Sequence, residues 1–234
     1  MNLTIFDLDN TLLAGDSDYL WGQFLVDEGV VERTHYEHEN QRFYEQYKAG
    51  TLDIHAFQRF SLSPLIEHPT STMLALRKRF VSECIAPIVA PAAPSLIAAH
   101  RERGDALLII TATNSFVTTP IAELLGIDDL LATDPEFVDG NYTGAIAGIP
   151  CFQDGKITRL DNWLAEQTQR FEKVWGYSDS HNDLPLLERS DFPVAVDPDT
   201  KLQDVATERD WPIVSLRNGA DGAQIFREVT SSKS

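Results

Sequence analysis

The sequence has few cysteines, few basic residues and no long apolar run. Cys84 and Cys151 are its only cysteines, and they lie far apart without a metal-ligand spacing. Such usage argues against a disulfide framework and favours a reducing compartment. Lysine and arginine together number 19 against 36 aspartates and glutamates, which gives a net charge of −17. This deficit of positive charge argues against nucleic acid or an anionic membrane as a partner.

No stretch approaches the roughly 20 apolar residues of a membrane-spanning helix. A basic segment followed by an apolar one is also missing at the N-terminus, so we expect a cytoplasmic protein. The 234 residues are 43% apolar and 24% charged, which fits a globular protein with one full core and a smaller accessory one. Only residues 230–234 are expected to form a frayed tail, and the oligomeric state stays open.

Buried strands alternate with helical segments in the second half of the chain. A first strand is expected at 2–6, but the next convincing one comes about 90 residues later, at 106–111. Helices are predicted at 19–26, 32–48, 53–62, 72–85, 94–103, 115–125, 156–169 and 184–189. Further strands are predicted at 130–133, 137–146 (a hairpin), 173–177, 192–196 and 211–216. This order predicts an α/β fold with a mostly parallel sheet covered on both faces.

The interval after the first strand differs in character from the rest of the chain. Its apolar and aromatic residues recur near helical spacing, which predicts the core of a small helical bundle. We therefore predict two domains: a core made of residues 1–13 and 91–234, and an inserted helical domain at residues 14–90.

Two aspartates, Asp7 and Asp9, follow the first strand directly, and Thr11 comes after them. Carboxylates held close together repel one another unless a cation or a shared proton intervenes. One interpretation is a site for a hard metal ion, with one carboxylate free to act as nucleophile or as acid and base. The other is an ordinary capping turn, because Asp, Asn and Thr all favour turns and helix starts.

The ends of the other strands help to decide between these interpretations, since ligands bind at the carboxyl ends of parallel strands. Each polar group there has an ordinary explanation as a cap or a solvated charge when taken alone. Their joint occurrence at successive strand ends favours a site for a phosphate and a metal ion. These groups are Thr111 and Asn114, then Lys156, then Asp179, Asn182 and Asp183.

The four motifs in this order resemble the haloacid dehalogenase superfamily, in particular its phosphoserine phosphatase-like branch. The motifs are 7–11, Thr111, Lys156 and 179–183, and the resemblance covers nearly the whole chain. It implies a Rossmann-like core with a helical cap of the C1 type at residues 14–90. The local sequences around Thr111 and Lys156 are also similar to a bacterial group that includes histidinol-phosphate phosphatases.

The resemblance implies an Mg²⁺-dependent phosphomonoesterase that works through an aspartyl-phosphate. Asp7 would be the nucleophile, and Asp9 would protonate the leaving alkoxide and later take a proton from water. Thr111 and Lys156 would hold the oxygens of the transferring phosphoryl group.

The same resemblance implies the ligands of the metal ion. The carboxylates of Asp7 and Asp179 and the backbone carbonyl of Asp9 would bind Mg²⁺, while Asp183 would hold a metal-bound water. Mg²⁺ and Lys156 offset three of the four carboxylate charges, and protonation of Asp9 removes the fourth. A phosphate dianion can then enter without gross repulsion, so the charge count requires the metal.

The expected partner is a small phosphorylated metabolite, and the cap is expected to recognise it. Asp16 stands where the family places an acid for a substrate amine. Arg59, with Arg42 as another option, would take a substrate carboxylate, but a solvated helix face is the favoured interpretation of both arginines. Asn114 and Asn182 are candidates for further substrate contacts. Ala112 and Thr113 replace residues that are usually glycine in phosphoserine phosphatases, which argues against phosphoserine. An amine-bearing ester without a carboxylate, such as histidinol phosphate, would need the acid and not the arginine, so it is favoured.

Other functions use related chemistry. Phosphoserine phosphatase activity and a phosphotransferase or mutase on the same fold are the nearest alternatives. A receiver-like signalling module also uses an acidic Mg²⁺ pocket with an Asp, a Thr and a Lys. Motif order argues against that module, because its acceptor aspartate lies on a middle strand and no helical cap intervenes.

Overall fold

The first strand, β1 (Leu3–Phe6), lies at the centre of the protein and is fully buried. The computed structural model describes residues 1–219 and 221–231. Leu3 and Ile5 pack into the hydrophobic cluster on one face of the sheet, and Phe6 packs into the cluster on the other. A strand with apolar side chains on both faces needs helices on both sides. The only polar side chain in β1 is that of Thr4, whose hydroxyl bonds to His100 and Asp105.

Seven strands form one sheet in the order β4-β3-β2-β1-β5-β6-β7. Neighbouring strands are parallel except for the β3–β4 pair. The predicted α/β fold with a mostly parallel sheet is therefore confirmed. The other strands are β2 (Ala106–Asn114), β3 (Asp129–Val138), β4 (Asn141–Ala147), β5 (Val174–Ser178), β6 (Phe192–Val196) and β7 (Ile213–Val214).

Helices make up most of the remaining chain, and none that the structure describes is long and apolar enough to cross a membrane. Five of them form an insertion that follows β1: α1 (Ser17–Asp27), α2 (Arg33–Ala49), α3 (Ile54–Ser61), α4 (Ser63–Glu67) and α5 (Thr70–Phe80). The others are α6 (Ala93–Arg103), α7 (Ser115–Leu125), α8 (Asp154–Glu166), α9 (Leu184–Arg189), α10 (Thr200–Glu208) and α11 (Gly222–Ser231).

The helical insertion leaves and rejoins the sheet at one place. Leu13 and Val89 form an antiparallel bridge, and the Ala90 amide donates to the Leu12 carbonyl at 2.9 Å. The two crossings of the chain therefore lie side by side, just beyond the carboxyl end of β1. The division into residues 1–13, 14–90 and 91–234 remains a prediction, although the insertion sits where that prediction places it.

Some element boundaries differ from the sequence prediction. The strand at 130–133 and the first arm of the hairpin are one strand, β3, because the edge of the sheet continues into the hairpin. Its turn at Asp139 and Gly140 has positive φ at both residues, as the sequence indicates. Helices α4, α10 and α11 were not predicted. Thr230 and Ser231, expected in a frayed tail, belong to α11, and residues 232–234 of that tail lie outside the described residues.

Candidate active site

Asp7 lies directly beyond β1 and bonds to a lysine from a distant helix. The Nζ of Lys156, in the first turn of α8, donates to Asp7 Oδ1 and to Asp183 Oδ2, each at 2.8 Å. Ser178, the last residue of β5, donates its hydroxyl to the same oxygen of Asp183. The lysine and both acids are almost fully buried. Four elements thus converge on one ion-pair network at the edge of the sheet.

Burial and neighbouring charges act in opposite directions on the acids and the lysine of this network. It raises the pKa of Asp7 to about 7, although the charge of Lys156 opposes the rise. For Lys156, burial alone would lower the pKa, but the charges of Asp183 and Asp7 outweigh it and the pKa lies above its usual range. Lys156 therefore remains a cation and partly neutralises the carboxylate beside it.

Asp9 is held from two sides. Its Oδ1 accepts from the backbone amide of Ser17 at 2.6 Å, where α1 begins. Its Oδ2 accepts from the hydroxyls of Thr113 at 2.8 Å and Thr111 at 3.4 Å, both near the end of β2. Burial raises the pKa of Asp9, while the hydrogen bonds from Ser17 and the two threonines limit the rise. Sheet and insertion together fix the orientation of this carboxyl group.

The expected metal ligands fit a hard dication by their chemistry. Asp179 follows β5 and accepts from the Thr11 hydroxyl at 3.1 Å. Burial, followed by the charges of Asp7 and Asp183, raises the pKa of Asp179 well above its usual range. Such mutual repulsion between carboxylates is what an Mg²⁺ ion bound by oxygen ligands relieves.

Side chains alone do not complete a metal site. Within residues 1–219 and 221–231, no group of three or more His, Cys, Asp or Glu side chains has the arrangement of a metal site. Of the expected ligands, only Asp7 and Asp179 are carboxylates, and the third, from Asp9, is a backbone carbonyl. An ion held by this set would supply positive charge beside Asp7 and would draw its remaining ligands from water and substrate.

A cleft separates this edge of the sheet from helices α1 to α3. On the sheet side it is lined by Asp7, Asp9, Thr111, Ala112 and Thr113. On the helical side it is lined by Asp16, Asp18, Tyr19, Asn40, Phe43, Tyr44, Tyr47, Leu52, Ile54 and Phe57. The cleft is thus acidic towards the sheet, and both acidic and aromatic towards the helices.

Asp16 is where the sequence places it, at the wall of the cleft. Its Oδ1 accepts from the Tyr19 amide at 2.9 Å and so caps α1. Burial, together with the charge of Asp9, raises the pKa of Asp16 well above its usual range. A substrate ammonium group would restore its charged form.

The structure does not bring the predicted arginines to the cleft. Arg59 is exposed on α3. Arg42 is also exposed and binds Glu39, one turn earlier on α2. Both side chains lie on the solvated surface of their helices, where a long charged side chain loses little hydration. A carboxylate clamp from either arginine is therefore not supported.

The two asparagines predicted to contact substrate both bond to other residues of the chain. Asn114 caps α7 by accepting from the Val117 amide, and its Nδ2 donates to the Ser61 hydroxyl. The oxygen and the nitrogen of its side-chain amide therefore both have partners, so few hydrogen bonds remain for a substrate.

Asn182 joins the core to the insertion. Its Nδ2 donates to the Tyr47 carbonyl at 3.2 Å, and its Oδ1 accepts from Gln153. Gly50 ends α2 beside it with a φ of 75°, and a Cβ there would lie 3.0 Å from the His181 ring. Asn182 therefore connects α2 with the loop after β5, and its contact with substrate stays a prediction.

Several contributing residues were not predicted from the sequence. Thr113 and Ser17 orient Asp9, and Ser178 orients Asp183. The role of Thr113 could have been predicted, because residues two apart on a strand share a face and Thr111 was already a candidate. The role of Ser17 could not have been predicted, since it acts through its backbone amide.

Asp18 was also missed, and its burial leads to a stability prediction. Burial raises the pKa of Asp18 to about 7, although a hydrogen bond from Ser61 acts to lower it. A folded-state pKa above the unfolded value gives stability that is complete at low pH and is lost as pH rises through about 7. Between about pH 5 and pH 9, we expect the free energy of unfolding of the wild type to fall by roughly 2–4 kcal/mol relative to Asp18→Asn.

Urea unfolding of both proteins across this pH range, without metal, checks this expectation. Asp27→Asn, at the exposed end of the same helix, is the matched control and should follow the wild type. Parallel pH profiles for the wild type and Asp18→Asn would contradict the expectation.

Comparison with known proteins identifies the family of this chain. The chain is 43% identical over 220 residues to a histidinol-phosphatase of Neisseria meningitidis serogroup C, covering 92% of this chain and 99% of that one. A solved structure of a protein of unknown function from Bordetella pertussis Tohama I aligns with a TM-score of 0.87 at 39% identity, covering 92% of this chain and 98% of that one.

More distant likeness extends to another phosphatase. A substrate-bound phosphoserine phosphatase structure aligns with a TM-score of 0.70 at 18% identity over 97% of each chain, which shows a shared fold. The model of the haloacid dehalogenase-like hydrolase family matches residues 4–188. That range begins in β1 and includes Asp7, Asp9, Lys156 and Asp183. The chain therefore belongs to the haloacid dehalogenase-like hydrolases, the family that its motif order resembles.

Proposed function

We propose that this hydrolase is a phosphatase that removes phosphate from a small, amine-bearing metabolite through an aspartyl-phosphate on Asp7. Histidinol phosphate is the first candidate substrate. The observation that carries the proposal is the pairing of two carboxyl groups in one cleft, one bound to a buried lysine and the other fixed by neutral donors.

The different environments of the two acids support different roles. Lys156 donates to Asp7, so the nucleophile is partly neutralised and a phosphate dianion can approach it. Asp9 has no lysine among its bonded partners, and burial raises its pKa. It can therefore carry a proton for the leaving alkoxide and, as a carboxylate, accept one from water.

The expected Mg²⁺ would bind the carboxylates of Asp7 and Asp179 and would supply positive charge for the phosphoryl oxygens. The chain itself contributes Thr111, at the end of β2, and Lys156 as further contacts for those oxygens. Asp183 holds Lys156 in place and is itself oriented by the hydroxyl of Ser178. On the other side the cleft is lined by aromatic residues of α2 and α3, the wall of the predicted cap, which would limit the access of water to a bound ester.

Two observations support an amine-bearing substrate. Asp16 lies at the wall of the cleft without an ion-pair partner among residues 1–219 and 221–231. The relative from Neisseria meningitidis is described as a histidinol-phosphatase, and it is 43% identical to this chain. With Arg59 and Arg42 on the surface, nothing in the described cleft provides the clamp that a phosphoserine carboxylate would need.

Phosphate release from a panel of esters in the presence of Mg²⁺ tests the proposal. The panel contains histidinol phosphate, phosphoserine, O-phosphoethanolamine and phenyl phosphate. We expect kcat/KM for histidinol phosphate to exceed that for phenyl phosphate by about 100-fold or more, because a site with unpaired polar groups discriminates against an analogue that lacks their partner.

A chelator-treated sample and a sample without enzyme serve as controls. Equal kcat/KM values for all the esters would contradict the amine-bearing class. Transfer of the phosphoryl group to a second metabolite, without release of inorganic phosphate, would instead identify a phosphotransferase.

A further inference from the structure

Asp18 lies in the cleft but takes no part in the chemistry assigned above. It is 7% exposed, and its Oδ1 accepts from the Ser61 hydroxyl at 3.0 Å. Its Oδ2 is buried and has no hydrogen-bond partner among the described residues. A buried carboxylate oxygen without a partner costs free energy, so its presence in a cleft calls for an explanation.

Helix capping does not explain Asp18. Asp16 is the N-cap of α1, and its side chain accepts from the Tyr19 amide. The amide of Ser17 donates to Asp9. The first turn of α1 therefore already has acceptors for its free amides, and a third acid is not needed there.

Internal ion pairing does not explain it either. Neither Asp16 nor Asp18 has a salt bridge within residues 1–219 and 221–231, and the charge of Asp9 acts against both of them. Lys156 and the expected Mg²⁺ neutralise the acids on the sheet side of the cleft. Two carboxylates on the helical side are left without an opposing charge, so a ligand with two positive charges on its carbon skeleton would balance them.

The aromatic residues beside these acids suit the same kind of ligand. Tyr19, Tyr44, Tyr47 and Phe57 line the helical side of the cleft together with Asp16 and Asp18. Aromatic faces attract ammonium and imidazolium groups, most strongly where water is excluded. A flat, positively charged ring would gain from both the rings and the carboxylate.

We propose that Asp18 binds a second basic nitrogen of the substrate, in a ring of the imidazole type, while Asp16 binds the primary amine. The site then selects phosphomonoesters that carry two basic nitrogen groups. This inference rests on the proposed function and goes beyond it, because it assigns a separate carboxylate to the ring.

Kinetics with four esters test this assignment. They are histidinol phosphate, its deamino analogue (ring without amine), O-phosphoethanolamine (amine without ring) and phenyl phosphate (neutral ring). For Asp18→Asn we expect the ratio of kcat/KM for the deamino analogue to that for phenyl phosphate to fall by about 30-fold or more. The ratio for O-phosphoethanolamine to phenyl phosphate should change much less. Asp27→Asn, on the exposed end of α1, should leave both ratios as in the wild type.

Two further measurements keep the test decisive. Calorimetric binding of histidinol, the amino alcohol without phosphate, should weaken in Asp18→Asn by a similar factor, independently of turnover. Asp18→Glu keeps the charge and should retain more of the ring preference, which covers the case in which the asparagine variant does not fold.

The outcomes separate this inference from the proposed function. A wild type without preference for histidinol phosphate over phenyl phosphate overturns both. A wild type with that preference, together with an Asp18→Asn variant that keeps it, overturns only the role of Asp18. Equal losses for all four esters would show a structural role and would also overturn the assignment.

Discussion

Replacement of Asp7 by asparagine is expected to lower kcat for phosphate release by at least about 1,000-fold, because the amide cannot form the acyl phosphate. The change is nearly isosteric, and it also removes the anion that Lys156 faces at 2.8 Å. The lysine keeps Asp183 as its partner, so the fold should be retained. Steady-state kinetics with the best ester of the panel give the size of the loss.

Trapping experiments give an independent measurement for the same variant. The wild type, quenched in acid during turnover of a ³²P-labelled ester, should carry label on the protein, and Asp7→Asn should carry none. Asp204→Asn, on the exposed surface of α10, is the surface control and should behave as the wild type. Full activity in Asp7→Asn would rule out the proposed mechanism.

For Asp9→Asn, we expect kcat to fall by about 100- to 10,000-fold, the usual range for loss of a general acid and base. Asparagine keeps an acceptor for the Ser17 amide, so the start of α1 should stay in place. The loss should depend on the leaving group. An ester with a weakly basic leaving group, such as p-nitrophenyl phosphate, needs little proton donation in the first step but still needs a base for the second.

This difference makes the role of Asp9 measurable. With p-nitrophenyl phosphate, rapid-quench experiments on Asp9→Asn should show a burst of p-nitrophenol and an accumulated phosphoenzyme. With an alkyl ester the first step should be slow and no burst should appear. Equal effects on both esters, without accumulation, would indicate that Asp9 only positions other groups.

The family match also bears on the alternative of a receiver-like signalling module. The matched model is that of a hydrolase family, and the matched residues 4–188 include both the helical insertion and the acids after β1. A phosphoenzyme that decays within the turnover time would agree with it. A label that persists for minutes in the wild type would favour signalling.

The sheet and the main motifs could be predicted because their signals are local. An apolar run that ends in Asp7 and Asp9 indicates both a buried strand and the place where it leaves the core. The later acids stand at an equivalent strand end and Lys156 at the start of a helix, so the topology brings them to one edge. Helices α10 and α11 were missed because only a few of their residues are buried, such as Leu202 and Ile225, so their apolar pattern is short.

The helical side of the cleft was harder to predict because it depends on tertiary contacts. The burial of Asp18 follows from the packing of α1 against α3, and no spacing in the sequence reports it. The position of Arg59 was hard to predict for the same reason, because the rotation of α3 about its axis decides whether this side chain faces substrate or solvent. The roles of Asn114 and Asn182 depend on partners 53 and 135 residues away.

The hydrogen bond from the Ser17 amide to Asp9 would make the acidity of Asp9 depend on the position of α1. This donor belongs to the helical insertion, whereas the acid follows a strand of the core. Any movement that draws α1 away would remove a donor that favours the carboxylate form, and Asp9 would then hold its proton more tightly. Proton release to the leaving group would thus be easiest with α1 in its present position, and closure of the insertion over an ester would favour cleavage.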